Sequence, residues 1–430
     1  MVTSKTFLKI FIVLTFLYSC RSSHSNYQSI SSVVNTKWID TTDVLKNSFV
    51  GIYVEDRQNG RILMDYNSTK NFIPASNMKL LTWYASMQLL PKLLPGLYYK
   101  EIKDTLFFMG AGNPSFLYKG DSTMFYFLKN HPAKKLVYSE QNFNDNNLGK
   151  GWAWEDLSYK FCAEKSALPL YENLLSISES KILPEYFRSN ITKTFHPEFN
   201  RKWNKNLFFW DTTINKTQFT PFLTDPEITI GILSNLIHKD IEYRKSIGNY
   251  NWNTLNAFSR DSLLKIMLLN SDNFLAEQTL LMLSGVLDSV YHELNTEKTI
   301  NGLLKTEWKD YPNLPRWVDG SGLSRYNLAT PKLMVDCLKK IAKDIKNDEI
   351  LYDYLPKSNQ TGTLKNVTQY PFSVYAKTGT LSNNQALSGF LTTKSGKKLV
   401  FSIMINHFLS KSNVIQEQIG KILYQLYEYK

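Results

Sequence analysis

Apolar and polar residues alternate along residues 48–55, with Val50, Ile52 and Val54 on one face. Arg57-Gln58-Asn59-Gly60 reads as a turn and residues 61–66 as the returning strand, which predicts a β-hairpin. Pro74 then opens a helical pattern carrying Leu80, Leu81, Tyr84, Ala85, Met87 and Leu90, stopped near Pro91. The other end of the chain is sheet again. Residues 372–377 and 385–392 read as strands, and Ser395-Gly396-Lys397 turns into a third at 399–406, followed by a helix from about Ser412. Two early strands and three late ones predict one antiparallel five-stranded sheet flanked by helices, an α/β (α+β) architecture.

The middle divides by composition. From about 98 to 250 the chain is aromatic, turn-rich and β-like, punctuated by Pro114, Pro132, Pro169, Pro184 and Pro197. From Asn256 onward long helical patterns return, as at 262–269 and 274–283. The expected organisation is one domain built from 46–95 and 246–430, interrupted by an inserted β-rich domain at 96–245.

The first residues read as a targeting segment. Lys5 and Lys9 precede and enter an apolar run over 7–17, the right length for a secretory core and too short to span a membrane. It ends Leu17-Tyr18-Ser19-Cys20, which resembles a bacterial lipobox, although Tyr18 is bulkier than usual there. The expectation is a signal peptide at 1–19, a lipidated Cys20, a Ser- and Asn-rich tether over 20–45, and an exported periplasmic protein anchored to a bacterial membrane. The plainer alternative is an ordinary signal peptide cut nearby. Only Cys162 and Cys337 then remain in the fold, and whether they pair is open.

Over 430 residues, hydrophobic content of 43% and charged content of 20% exclude disorder, collagen and coiled coil. A net charge of +12 raises the question of nucleic acid, but the lysines are scattered and no RNA-binding motif accompanies them. A solvated basic surface, or an acidic envelope polymer as neighbour, remains. The six histidines have no metal spacing, and no phosphate loop, dinucleotide fingerprint or Gly-x-Ser-x-Gly elbow appears, so no cofactor or metal is expected.

Three short motifs carry chemistry together. In Pro74-Ala75-Ser76-Asn77-Met78-Lys79, positions three apart at a helix start share a face, so Lys79 can take the Ser76 proton. Burial and the charge of Lys377 are both expected to favour neutral Lys79. Ser-x-x-Lys recurs at Ser178, Ser262 and Ser395, so this signal alone is weak. Asn270-Ser271-Asp272-Asn273 lies between two helical stretches. Its plain reading is an N-cap cluster; its functional reading is a hydroxyl that relays a proton and an amide that grips a substrate. Lys377-Thr378-Gly379-Thr380 ends a strand, where glycine admits a substrate backbone and the lysine and threonines could hold a carboxylate. The ordered set is the triplet of class A β-lactamases and penicillin-binding proteins.

The sequence resembles the class C low-molecular-mass penicillin-binding proteins, the D-Ala-D-Ala carboxypeptidase/endopeptidase family. PASNMKLLT at 74–82, SDNFLAEQ at 271–278, DGSGLSRYNLATP at 319–331, AKTGTL at 376–381 and GWAWEDL at 151–157 carry the likeness, which spans most of the chain after residue 45. Leu355-Pro356, Gly362-Thr363-Leu364-Lys365, Ser166-Ala167-Leu168 and Glu172-Asn173 add to it. Two features depart. Asn113 stands where the family usually carries Asp, and the 195 residues from Ser76 to Ser271 are few for two inserted domains.

The resemblance implies a penicillin-binding/serine β-lactamase-like fold and hydrolysis of peptidoglycan stem peptides, with β-lactams as inhibitors. It implies Ser76 as acyl-enzyme nucleophile, Lys79 as its base, Ser271 as proton relay and Asn273 as a hold on the substrate backbone. Lys377, Thr378, Gly379 and Thr380 would face the substrate carboxylate, with the N–H groups of Ser76 and Thr380 as oxyanion hole. Trp154, Asp156 and Arg325 would line a stem side-chain pocket, Arg325 gripping a free carboxylate of a diaminopimelate-type residue. Their plain readings are core packing for Trp154 and a surface ion pair for the other two. Two rivals stand beside this one. A serine β-lactamase of class A needs a deacylating Glu, but Tyr291-His292-Glu293-Leu294-Asn295 has Tyr at that place. An inactive peptidoglycan-binding module would not need Ser76 and Lys79 together.

Overall fold

A computed structural model describes residues 37–367, 370 and 372–430. The signal segment, Cys20 and most of the tether lie outside the described residues. The end of the expected tether is not free: Ile39 and Leu45 are buried against the sheet.

The principal sheet has the order Val374–Leu381, Asn384–Thr392, Lys398–Asn406, Phe49–Asp56, Ile62–Tyr66, with every neighbouring pair antiparallel. The two ends of the chain thus meet in one sheet, as the alternation predicts. Val50, Ile52 and Val54 face the C-terminal helix Ser412–Tyr427, whose Ile415, Ile419, Leu423 and Leu426 are buried. Tyr53, one step out of phase, joins the opposite layer with Leu80, Leu81, Leu333 and Leu338. Each such aliphatic side chain contributes roughly 1.5–3 kcal/mol by leaving water.

The helix Lys79–Leu89 runs through that second layer and is buried on all sides from Lys79 to Ser86. Its buried hydroxyls find partners in backbone carbonyls. Thr82 Oγ1 donates to the Gly320 carbonyl at 2.8 Å, and Ser86 Oγ to the Thr82 carbonyl at 2.6 Å. Two further helices, Arg260–Asn270 and Asn273–Leu287, pack beside it, separated only by Ser271 and Asp272.

Between the early and late strands lies a second five-stranded sheet, ordered Ile241–Tyr243, Lys135–Tyr138, Thr105–Gly110, Leu93–Ile102, Asn253–Ser259. It is mixed: Lys135–Tyr138 runs parallel to both its neighbours. The helices Thr123–Asn130 and Pro226–Ile237 cover it, in a stretch whose composition suggested strands and turns alone. Two smaller sheets, of three and two strands, complete the region. One hydrophobic cluster runs from Leu97 and Leu106 of the larger sheet to Phe187, Phe208 and Phe222.

Asn113 has a structural role that an ionised Asp could not fill. Its Nδ2 donates to the carbonyls of Pro95 (3.0 Å) and Ala257 (3.2 Å), while its Oδ1 accepts from the Ser115 N–H at 2.9 Å. Cys162 and Cys337 are separate buried thiols that do not pair. Burial pushes the Cys162 thiol up to about 12, which leaves it an inert core side chain.

Candidate active site

Ser76 stands in a 3-10 turn, Ala75–Met78, that feeds directly into the helix Lys79–Leu89. The expected first α-helical turn is thus a tighter one. It begins at Ala75 with φ of 47°, in the left-handed region that a residue with a Cβ seldom adopts. Such a conformation persists only when its surroundings hold it. Asn77 does so from one side, donating from Nδ2 to the Lys377 carbonyl at 3.2 Å. Gly322 does so from the other: a Cβ there would stand 1.9 Å from the Ala75 carbonyl oxygen.

Lys79 is fully buried, and its Nζ has three oxygen neighbours. These are Ser76 Oγ at 3.0 Å, Asn273 Oδ1 at 2.7 Å and the Ser321 carbonyl at 2.7 Å. The Asn273 amide is oriented by its other end, since Nδ2 donates to the Phe161 carbonyl at 3.1 Å. Burial pushes the Lys79 amine down to about 8, against the opposing pull of the Asp272, Glu277 and Asp319 carboxylates. Lys377, also fully buried, is held well below the usual lysine range by burial first and by the Lys79 charge second. The electrostatic influence expected of Lys377 on Lys79 therefore appears on Lys377 itself.

Ser271 occupies the left-handed cap of the helix Arg260–Asn270, at φ of 54°, and its Oγ accepts from Lys377 Nζ at 2.8 Å. Asp272 caps the next helix by accepting from the Leu275 N–H at 3.0 Å. The cap reading of this tetrapeptide thus holds for Ser271 and Asp272, while the side chains of Ser271 and Asn273 are bonded to Lys377 and Lys79. Lys377 also donates to the Thr378 carbonyl at 2.7 Å. The strand carrying it does not end at Thr380 but continues to Leu381, because Thr380 and Leu381 pair with Gln385 and Asn384. At Gly379 a Cβ would lie 2.7 Å from the Pro74 carbonyl and 3.1 Å from the Ser76 nitrogen, so glycine lets this strand close on the nucleophile turn. Ser76, Ser271, Thr363, Thr378, Gly379 and Thr380 together line a cavity of about 280 Å³. Thr363 Oγ1 and Thr378 Oγ1 share a hydrogen bond of 2.7 Å at its wall.

The other Ser-x-x-Lys sequences assemble nothing comparable. Lys265 pairs with Asp353 at 2.5 Å and Lys398 with Asp348 at 2.7 Å, while Ser178 and Lys181 meet through a turn.

Sequence reasoning missed Glu277. It is buried, and its carboxylate accepts from the N–H groups of Ser321 (2.8 Å) and Gly320 (3.2 Å), fixing the loop whose Ser321 carbonyl meets Lys79. Burial, and after it the nearby Asp319, push it well above the usual carboxylate range. Its partners are backbone groups, so no side-chain pattern announces it. Asp319 is braced in the same loop by Gly322 N–H, Ser324 N–H and Asn327 Nδ2.

The remaining three predicted residues are not in the lining of the Ser76 cavity. Arg325 Nη1 and Asp156 Oδ2 form an ion pair of 3.4 Å. Trp154 is 69% exposed, which rules out core packing. It lines a different cavity, of about 820 Å³.

The family model described as D-Ala-D-Ala carboxypeptidase 3 (S13) matches residues 35–184 and 260–426. Penicillin-sensitive carboxypeptidase A of Dictyostelium discoideum is 24% identical over 97% of this chain and 91% of its own length. D-alanyl-D-alanine carboxypeptidase DacB of Haemophilus influenzae is 24% identical over 88% of this chain and 90% of its own. Its crystal structure, as penicillin binding protein 4, superposes with a TM-score of 0.71 at 21% identity, covering 92% of this chain and 100% of that one. A predatory peptidoglycan endopeptidase of Bdellovibrio bacteriovorus gives a TM-score of 0.52 at 17% identity, over 88% of this chain and 92% of its own. These solved structures establish the fold as that of the penicillin-binding proteins.

Proposed function

The chain belongs to the D-Ala-D-Ala carboxypeptidase 3 (S13) family, and from that footing we propose how its own residues perform serine-type D-Ala-D-Ala peptidase chemistry on peptidoglycan stem peptides. The substrate's terminal carboxylate enters the cavity beside Thr378, Thr380 and Lys377. Ser76 Oγ attacks the scissile carbonyl as its proton passes to neutral Lys79 Nζ. The tetrahedral oxyanion sits against the N–H groups of Ser76 and Thr380, each such donor typically worth about 3–4 kcal/mol. Collapse breaks the peptide bond, and the proton held by Lys79 reaches the leaving amine through Ser271. Water then hydrolyses the acyl-enzyme.

The single observation that carries this reading is the neighbourhood of Lys79 Nζ. Two of its three partners are oxygens that only accept, so the lone pair of the neutral amine faces the Ser76 hydroxyl. An inert binding module has no use for that arrangement. Arg325 and Asp156 form the stem-residue pocket in this account, exchanging their mutual ion pair for the charges of the substrate side chain. Cys20 is lipidated after removal of 1–19, which holds the enzyme at a membrane on the periplasmic side.

Incubation with penicillin tests the reading. One covalent adduct at Ser76, lost slowly, is expected, and Ser76→Ala abolishes it. Fast turnover of nitrocefin would favour a β-lactamase instead.

A further inference from the structure

Trp203 is 80% exposed, yet the loop presenting it is held firmly. The buried Arg201 guanidinium donates from Nη1 to the carbonyls of Lys202 (2.7 Å) and Trp203 (3.1 Å), and from Nε to that of Pro221 (2.9 Å). Asn206 ties the same loop to Leu223 in both directions, at 2.9 and 2.7 Å. A rigid loop that leaves an indole in water gives up the stability of burying it, and exposed apolar surface of this kind marks an interaction site. Trp203 is not alone. With Trp154, Phe199 and Phe209 it lines the cavity of about 820 Å³, a volume in the usual range for ligand sites. Glu198, Lys202 and Asn204 stand in the same lining, so it offers hydrogen-bond donors and acceptors as well as ring faces.

We propose that this groove is a saccharide-binding subsite, occupied by the glycan strand to which the stem peptide is attached. A pyranose has the matching chemistry: C–H faces that stack on aromatic rings, and an edge of hydroxyl and acetamido groups that pair with the polar lining. Position supports the same occupant. Trp154 opens the segment whose Asp156 contacts Arg325 and whose Phe161 carbonyl binds the Asn273 amide beside Lys79. The groove therefore adjoins the stem-residue pocket through Trp154 and Asp156, and the stem carries its sugar at the end opposite the bond that Ser76 attacks. This inference rests on the peptidase reading above.

The test compares Trp203→Ala with the parent, using the tetramer of β-linked N-acetylglucosamine as probe in calorimetry. Hydrolysis is then followed on glycan-attached pentapeptide and on the free pentapeptide. The parent should bind the tetramer, and Trp203→Ala should weaken binding at least about tenfold. The ratio of kcat/KM for glycan-attached over free peptide should fall by a similar factor. Phe199→Ala gives a second reading should the first variant melt early. No binding by the parent, an equal loss on both peptides, or binding to phosphatidylglycerol vesicles in place of the saccharide overturns the proposal. Penicillin labelling of the parent at Ser76 is scored separately, so failure of the peptidase reading is distinguishable from failure of the subsite.

Discussion

Lys79 Nζ lies 3.0 Å from Ser76 Oγ, and its other two partners, Asn273 Oδ1 and Ser321 O, are acceptors without a proton to give. A protonated amine satisfies all three at once. A neutral amine has two N–H groups for the two fixed acceptors, and its lone pair is then directed at the serine hydroxyl. Losing one proton thus converts Lys79 from a donor to Ser76 into its base without moving a heavy atom. Burial brings that proton loss down to about pH 8.

Glu277→Gln tests the scaffold behind this geometry. The amide keeps the shape but sets an NH₂ against one of the two N–H groups of Gly320 and Ser321, so a loss of about 1–3 kcal/mol is expected in denaturant titrations. The same change removes a negative charge that favours protonated Lys79, so the acylation limb should shift to lower pH. Burial, and after it the Asp319 carboxylate, raise Glu277 above its ordinary value of 4.5. Its contribution to stability is therefore full below pH 4.5 and is lost as pH rises through the raised folded value. The parent should lose stability across that window, and Glu277→Gln should lose less.

Gly322→Ala places a Cβ 1.9 Å from the Ala75 carbonyl and strains a φ of 81°. The conformational cost alone is on the order of 1–3 kcal/mol. Acylation should fall far more than the thermal midpoint, because the turn carrying Ser76 must shift. A thermal melt paired with a labelling assay separates the two effects.

Much of this was legible in the chain. Residues 50, 52 and 54 alternate because one face of their strand meets the C-terminal helix, and that period is visible without a structure. The three motifs meet in space through the Lys79–Ser76, Lys79–Asn273 and Lys377–Ser271 contacts. Other features depend on partners distant in sequence. The strand through Lys377 extends to Leu381 only because Asn384 and Gln385 pair with its end. The helix Pro226–Ile237 is rich in β-branched residues and is decided by its Asp225 cap and by burial of Ile232 and Leu233. Glu277 binds backbone N–H groups, and that bond leaves no trace in residue spacing.

Arg325→Ala should cost about 1.5–3 kcal/mol in kcat/KM on stem peptides with a side-chain carboxylate, the worth of a charged hydrogen bond. On a peptide lacking that group the loss should be small, since a half-exposed ion pair with Asp156 contributes only about 0–1 kcal/mol. Equal losses on both peptides would make the pair structural.

Cys20→Ala should release the mature protein from detergent into the aqueous phase, since long acyl chains supply the membrane affinity. A native N-terminus downstream of residue 20 would exclude the anchor.

The most direct test of the account is the pH dependence of penicillin acylation in the parent and in Lys79→Ala. In the parent the second-order rate should climb about tenfold per pH unit and level near pH 8, with the adduct mapped to Ser76. In Lys79→Ala that limb should vanish and the rate should drop by roughly 10²–10⁴, the usual loss on removing a general base. A parental rate in Lys79→Ala, or an adduct on another serine, would contradict it.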